Sequence, residues 1–248
     1  MNFLAIIPAR YASSRFPGKP LADIKGEPMI QRVYRRVAEI YADTVVATDD
    51  SRIFDAVAAF GGKVVMTSES HRSGTDRAAE ALDKYEAATG RRFDAVVNVQ
   101  GDEPFVAYEH LTKIKELFDD KAVEIATLVK PFAADEDIFN PNSPKVVLST
   151  DNYALYFSRS VIPYLRGVAE SEWQAGHTYY KHIGLYAYRA DILRRITRLP
   201  QCELEKSESL EQLRWLANGY RIKTALTNTQ TVAVDTPEDL QKVLALIK

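Results

Sequence analysis

Apolar residues recur along the chain with two periods that alternate. Phe3-Leu4-Ala5-Ile6-Ile7 is a continuous apolar run stopped by Pro8, the pattern of a strand buried on both faces and central in a sheet. After a long loop, Met29, Ile30, Val33, Tyr34, Val37 and Ile40 recur at spacings of three and four, with Arg32, Arg35 and Arg36 on other faces; this predicts an amphipathic helix. Thr44 to Thr48 reads as a second strand. A helix from about Ser51 to Phe60 ends at Gly61-Gly62, and Lys63 to Met66 supplies the next strand. Ser73-Gly74-Thr75-Asp76 places an acid three residues after a hydroxyl, a capping box that opens an Ala-rich helix of about 15 residues. Ala95 to Val99 follows as a fourth strand. This alternation predicts an α/β chain with a doubly wound, mixed but mostly parallel sheet, whose ligands gather beyond the carboxyl ends of the strands.

From Pro131 to Pro144 the helical period is lost. Lys145 to Thr150 and Asn152 to Ser158, rich in Val, Tyr and Phe, predict a hairpin. An aromatic strand over Tyr179 to Tyr188 precedes helices near Asp191 to Thr197 and Glu205 to Ala217. Arg221 to Leu226 and Val232 to Val234 return to strand, and Leu240, Val243, Leu244 and Ile247 mark a closing helix. No internal repeat or low-complexity segment interrupts the pattern. The expectation is one domain over residues 1–248, with an insertion at about 131–190 that covers the site or joins subunits.

Composition narrows the classes. The 248 residues carry 32 Lys plus Arg against 34 Asp plus Glu, a formal net charge of -2, and 46% hydrophobic residues, an ordinary globular balance. Such a balance argues against a nucleic-acid coat or a polybasic membrane anchor, both of which need excess cations to meet phosphates. The longest stretch without Asp, Glu, Lys or Arg is 11 residues, Thr224 to Val234, whereas a span needs about 20 apolar residues. Met1 to Ala9 lacks a basic region and does not read as a secretory signal, so a cytoplasmic location without membrane insertion is expected. Cys202 is the single cysteine, which leaves no internal disulfide and no Cys-based zinc cluster.

Charge is nonetheless uneven. Between Met1 and Arg36 stand seven basic residues and two acidic ones. Arg10, Arg15 and Lys19 follow the first strand in Pro8-Ala9-Arg10-Tyr11-Ala12-Ser13-Ser14-Arg15-Phe16-Pro17-Gly18-Lys19-Pro20. Either they spread over several phosphate groups or they form a solvated basic loop. Neither a G-x-x-x-x-G-K-[ST] loop nor a G-x-G-x-x-G turn occurs, so phosphates would be met by long cationic side chains and loop amides. Asp102, in Gln100-Gly101-Asp102-Glu103-Pro104, lies just past a buried strand. Asp235, in Val234-Asp235-Thr236-Pro237-Glu238-Asp239, ends a second expected strand. Two carboxylates at strand ends suit Mg²⁺, which takes a few carboxylates together with phosphate oxygens and water. Asp235 equally suits a plain helix N-cap.

The first motif, together with His71 to Arg77, Asn98 to Pro104, Tyr153-Ala154-Leu155-Tyr156-Phe157-Ser158-Arg159 and Val234 to Leu240, resembles the 3-deoxy-manno-octulosonate (Kdo) cytidylyltransferases, the CMP-Kdo synthetases, from end to end. The resemblance implies a Rossmann-like nucleotide-diphospho-sugar transferase fold and a homodimer joined through the insertion. It implies transfer of CMP from CTP to the anomeric hydroxyl of Kdo with release of pyrophosphate, in service of lipopolysaccharide assembly. Arg10, Arg15 and Lys19 would hold the CTP phosphates, with Arg15 and Lys19 stabilising the departing pyrophosphate. Ala9 and the Ser73-Gly74 turn would meet cytosine, and Asp102 and Asp235 would bind Mg²⁺. Gln100, Arg159, His182, Tyr186, Glu211 and Gln212 would hold the sugar acid, Arg159 through two parallel hydrogen bonds to its carboxylate. His182, in an aromatic strand, also reads as a structural histidine, and Glu211 and Gln212 point about 100° apart on one helix. A CMP-sialate synthetase, another 2-keto sugar acid cytidylyltransferase and a non-catalytic nucleotide-binding module are the alternatives.

Overall fold

The computed structural model describes residues 1–13 and 15–246. Ser14 of the basic loop and Ile247 of the expected closing helix lie outside the described residues. The chain gathers into two compact units. The first comprises Met1–Thr112, Ala187–Thr197 and Gln230–Lys248, and the second Lys113–Tyr186 and Arg198–Thr229.

The first unit opens with β1 (Phe3–Ala9), followed by a small antiparallel ribbon of β2 (Asp23–Ile24) and β3 (Glu27–Pro28). Then come α1 (Met29–Ile40), β4 (Thr44–Thr48), α2 (Ser51–Ala59), β5 (Val64–Met66), α3 (Gly74–Thr89), β6 (Ala95–Asn98) and the start of α4 (Tyr108–Glu116). The strands lie in the order β6-β1-β4-β5 with every pair parallel. Leu4, Ala5, Ile6 and Ile7 have no exposed surface, as expected of a central strand. Asp50 caps α2 and Ser73 caps α3, each side chain accepting from an amide of the first turn. α1 buries Met29, Ile30, Val33 and Val37.

Pro8 does not stop β1 as expected; the strand runs on to Ala9. The Val99 amide donates to Ile6 O, so Ile6 faces β6, and Pro8, two residues on, faces the same way. β6 has ended at Asn98 by then, so the missing proline N–H costs no ladder bond.

The second unit holds β7 (Ile125–Pro131), β8 (Lys145–Leu148), β9 (Ala154–Ser158), the short α5 (Trp173–Gly176) and most of β10 (Tyr180–Arg189). β8 and β9 form the expected antiparallel hairpin, and β8 also pairs antiparallel with β10. The chain returns to the first unit through the end of β10 and α6 (Ala190–Ile196). It then adds α7 (Glu203–Glu208), α8 (Gln212–Ala217) and β11 (Ile222–Leu226) to the second unit, β11 lying parallel to β7. It closes in the first unit with α9 (Pro237–Leu246).

Two expectations are corrected. Glu205 to Ala217 is not one helix: α7 and α8 are separated at Ser209, whose φ of 50° and ψ of 46° are left-handed. Glu211 therefore stands at the N-cap of α8 rather than mid-helix. Val232 to Val234 form no strand. Their link to the unit is the Val234 amide, which donates to Asp102 O at 2.9 Å, while Val234 packs with Ile24, Met29 and Val243 in a local apolar cluster.

Candidate active site

In the first unit, the carboxyl ends of β1 and β6 and the start of α3 surround a cavity of about 290 Å³. Ala9, Arg10, Arg15, Lys19, Ser73, Gly74, Gln100, Asp102 and Asp235 all line it, so every residue expected to meet nucleotide or metal converges there. Three local devices bring them together. Gly18, at a φ of 71°, turns the basic loop with its amide on Tyr11 O, a backbone shape that side chains resist. The Arg52 guanidinium, held in a fork by Asp50, lies 3.3 Å from the centre of the Tyr11 ring. Gly101 lets the acidic loop reach β1: a Cβ there would sit 2.6 Å from Pro8 O, which no side chain tolerates.

Cations and carboxylates interleave across the cavity. Lys19 Nζ lies 2.6 Å from Asp102 Oδ2 and 3.4 Å from Asp235 Oδ1, and Arg15 Nη2 lies 3.2 Å from Asp235 Oδ1. Both carboxylates thus converge on one positively charged point. Hard oxygen donors arranged in this way fit a divalent cation that completes its shell with water and phosphate oxygens. No cluster of three or more His, Cys, Asp or Glu able to hold a metal occurs among the described residues, so a ready-made protein cage is not what the site offers. Beside Asp102, burial and then the Asp102 charge push the Glu103 carboxyl up to about 7 despite a hydrogen bond from Thr231. Asp239, not Asp235, accepts from the Asp235 and Thr236 amides at the start of α9. Thr236 is the cap, its Oγ1 accepting from the Asp239 amide at 3.3 Å, and Asp235 lines the cavity.

Of the residues expected to meet the sugar acid, Gln100 lies in the first unit. Arg159, His182, Tyr186, Glu211 and Gln212 belong to the second. Within that unit His182 packs its ring between Phe157 and Tyr186, at 5.3 and 5.2 Å between centroids, and Tyr186 meets Trp215 edge-on. Burial lowers His182 to about 4, which keeps it neutral, and its Nε2 has no hydrogen-bond partner. Gln212 is 5% exposed, and its Nε2 is likewise unpartnered. Buried polar atoms without partners are uncommon and cost stability; the His182 and Gln212 nitrogens are thus open to a hydrogen bond from a ligand or a water. Glu211 Oε1 accepts from Arg214 at 2.9 Å. Arg159 donates Nε to Glu208 O at 2.6 Å, Nη1 to Pro141 O at 2.8 Å and Nη2 to Ser209 O at 3.3 Å. Three of a guanidinium's five N–H groups are so engaged, and two remain for a carboxylate.

Sequence reasoning passed over several residues that line the cavity, among them Ser13, Pro20, His71 and Arg77. Arg77, 4% exposed, is fixed by Asp49 Oδ2 at 2.5 Å and Thr67 Oγ1 at 2.6 Å. Its signal was present in the motif His71 to Arg77, but its acidic partner is 28 positions away and shares no pattern with it.

Residues 4–223 match the family model described as Cytidylyltransferase. The chain is 60% identical over 251 aligned positions to a 3-deoxy-manno-octulosonate cytidylyltransferase of Parabacteroides distasonis, covering 100% of this chain and 98% of that one. It is 58% identical to one from Bacteroides thetaiotaomicron, covering 100% and 99%. The solved structure of a CMP:2-keto-3-deoxy-manno-octonic acid synthetase complexed with CTP superposes with a TM-score of 0.90 at 45% identity, covering 100% of this chain and 98% of that one. A glucose-1-phosphate thymidylyltransferase structure from Bacillus anthracis, at 18% identity and a TM-score of 0.64, shares the fold. With the α/β fold, the cavity and the full-length match in agreement, the chain belongs to the cytidylyltransferase family, among the 3-deoxy-manno-octulosonate cytidylyltransferases.

Proposed function

We propose that this protein transfers CMP from CTP to the anomeric hydroxyl of Kdo, releasing pyrophosphate, and so supplies an activated sugar acid for lipopolysaccharide assembly in the cytoplasm. The observation that carries this reading is the meeting of Arg10, Arg15 and Lys19 with Asp102 and Asp235 around one cavity. Phosphate-binding cations and metal-binding carboxylates serve together where a triphosphate is cleaved between its α and β phosphates. The anomeric oxygen forms its bond to the α-phosphorus as the bond to the bridging β-oxygen breaks, and the hydroxyl proton is released as pyrophosphate departs.

Little covalent work falls to the protein, so positioning and charge neutralisation supply the rate. Arg10, Arg15 and Lys19 bind the phosphates, and Arg15 and Lys19 neutralise charge growing on the leaving pyrophosphate. Ala9 and the Ser73-Gly74 turn, at the floor of the cavity, bind cytosine. Asp102 and Asp235 hold Mg²⁺, which when bound supplies Lewis-acid neutralisation of the α-phosphate. Arg159, His182, Tyr186, Glu211 and Gln212 of the second unit bind the sugar acid. His182, neutral and buried, suits a sugar hydroxyl rather than an anion. The chain acts as one cytidylyltransferase domain, and its segment of about 131–190 serves sugar binding and a homodimer contact.

The test is pyrophosphate release from CTP and Mg²⁺ with Kdo, with sialic acid and without sugar. Release with Kdo alone is expected. Release only with sialic acid moves the acceptor to another 2-keto sugar acid, and none with either leaves a nucleotide-binding module.

A further inference from the structure

Beside the break between α7 and α8 stands a residue outside the proposed ligand set. Glu208, the last residue of α7, accepts from Ser158 Oγ through Oε1 at 2.7 Å and from the Arg159 amide through Oε2 at 2.9 Å. Arg159 answers with its side chain, donating to the carbonyls of Glu208 and Ser209. Carboxylate on one strand and guanidinium on two carbonyls make a reciprocal latch. It forms where the end of β9 meets the turn that leads through Ser209 into Gln212.

The latch extends beyond these two residues. Lys145, with no exposed surface, donates Nζ to Arg159 O at 2.6 Å and to Asn140 O at 3.0 Å, while Arg159 Nη1 takes Pro141 O. Two cations thus gather five carbonyls from three chain segments, and the Glu208 carboxylate is the anion of the group that touches both Ser158 and Arg159. Burial lowers the Lys145 ammonium, and the charges of Asp137 and Glu208 oppose that. Removing the Glu208 side chain takes away the acceptor of the Arg159 amide and of Ser158 Oγ, and leaves the main chain of Arg159 and the turn held only through Lys145 and the Arg159 guanidinium. It removes no group that the proposed reaction touches.

We propose that Glu208 is a positioning residue for the sugar acid, fixing the main chain of Arg159 and the left-handed turn at Ser209 so that Arg159, Glu211 and Gln212 are presented together. This rests on the reading that the sugar acid is bound by those residues. It predicts a defect confined to one substrate, since none of Ser158, Arg159 and Glu208 lines the nucleotide cavity.

The experiment measures pyrophosphate release by wild type, Glu208→Ala and Glu208→Gln, titrating Kdo and CTP separately, together with amide hydrogen exchange on the substrate-free proteins. Glu208→Ala should raise the KM for Kdo about tenfold or more and leave the KM for CTP within about twofold. Glu208→Gln keeps one acceptor for the Arg159 amide and an amide donor for Ser158 Oγ, so it should recover most of that loss. Exchange at Arg159 and across residues 209–214 should quicken in Glu208→Ala and stay slow in Glu208→Gln. A Kdo KM within about twofold of wild type, a parallel rise in the CTP KM, or unaltered exchange would each overturn the proposal. Should Glu208→Ala not fold, Ser158→Ala removes one arm of the latch and is held to the same split at a smaller size. Absence of turnover in wild type with Kdo would count against the proposed function itself, and the exchange measurement would still judge the latch.

Discussion

The two units set their polar groups by different physics. In the first, one pair of charges is out in the open: Arg15 and Asp235 expose 65% and 44% of their side chains, yet both face the cavity and each other. Such pairs contribute little stability and exchange partners readily, which suits groups that must let go of one another to meet a triphosphate and a metal. In the second unit the polar groups are buried among rings or pinned to carbonyls, and Gln212 and His182 carry unpartnered atoms. Neutral hydroxyls attract weakly from a distance, so they require donors and acceptors set in place beforehand. A charged substrate can be met by adaptable charge, whereas a sugar needs a built surface.

Removing either carboxylate tests the first half of this contrast most severely. Asp102→Ala and Asp235→Ala should each cut Mg²⁺-dependent turnover by about 10³-fold or more; the thermal midpoint should change little in Asp235→Ala, whose pair with Arg15 is largely exposed, and fall more in Asp102→Ala, which takes the nearer carboxylate from the largely buried Lys19. A large fall in midpoint with retained turnover would reverse the assignment of these residues from chemistry to stability. Arg159→Ala probes the second half. It should raise the KM for the sugar acid by about 10²-fold and also lower the thermal midpoint, because three main-chain carbonyls lose their donor. An unchanged sugar KM with a lowered midpoint would leave Arg159 as a clamp alone.

The same contrast explains what could be read from the sequence. The basic loop, the capping box at Ser73 and the acidic loop at Asp102 are local patterns, and each lies where local pattern puts it. Glu205 to Ala217 carries no glycine or proline and has every local reason to be one helix. Its break lies against Ser158 and Arg159, about fifty positions away, and no window along the chain contains both. β7 also went unread, although Ile125 to Val129 is a continuous buried run that ends at a nearly buried Lys130. Val232 to Val234 resemble a strand in composition, yet the segment gains a single amide bond to Asp102 O instead of a ladder. Long-range contacts mark the helix break and the Val232 to Val234 segment.

Neutral His182 gives the buried site a pH signature of its own. Its folded pKa of about 4 lies below the ordinary value of 6.5, so between these two the unfolded chain binds the extra proton. Stability supplied by the neutral, buried ring is therefore complete above pH 6.5 and is lost as pH falls toward 4, by roughly 2–3 kcal/mol. Denaturant midpoints at pH 7 and pH 4.5, compared between wild type and His182→Gln, should show a steeper acid loss in wild type. Equal losses would mean that His182 is hydrated and that the surface around it is not built as described.

The smallest expected effect concerns the turn that the second unit holds under strain. Ser209 adopts a left-handed conformation with a side chain present, while its carbonyl serves Arg159. Glycine takes this conformation without a steric penalty but loses more freedom on folding, so Ser209→Gly should stabilise the protein by about 0.5–1 kcal/mol at most. Substrate KM values should stay unchanged, because the carbonyl remains in place. If Ser209→Gly instead weakens sugar binding with no change in midpoint, the stiffness of a residue with a side chain is itself part of how the surface is built. The first unit offers the control, since Gly18 already supplies glycine at its left-handed turn in the basic loop. Gly18→Ala, strained there and 3.0 Å from the Tyr11 ring, should weaken CTP binding while leaving the sugar KM alone.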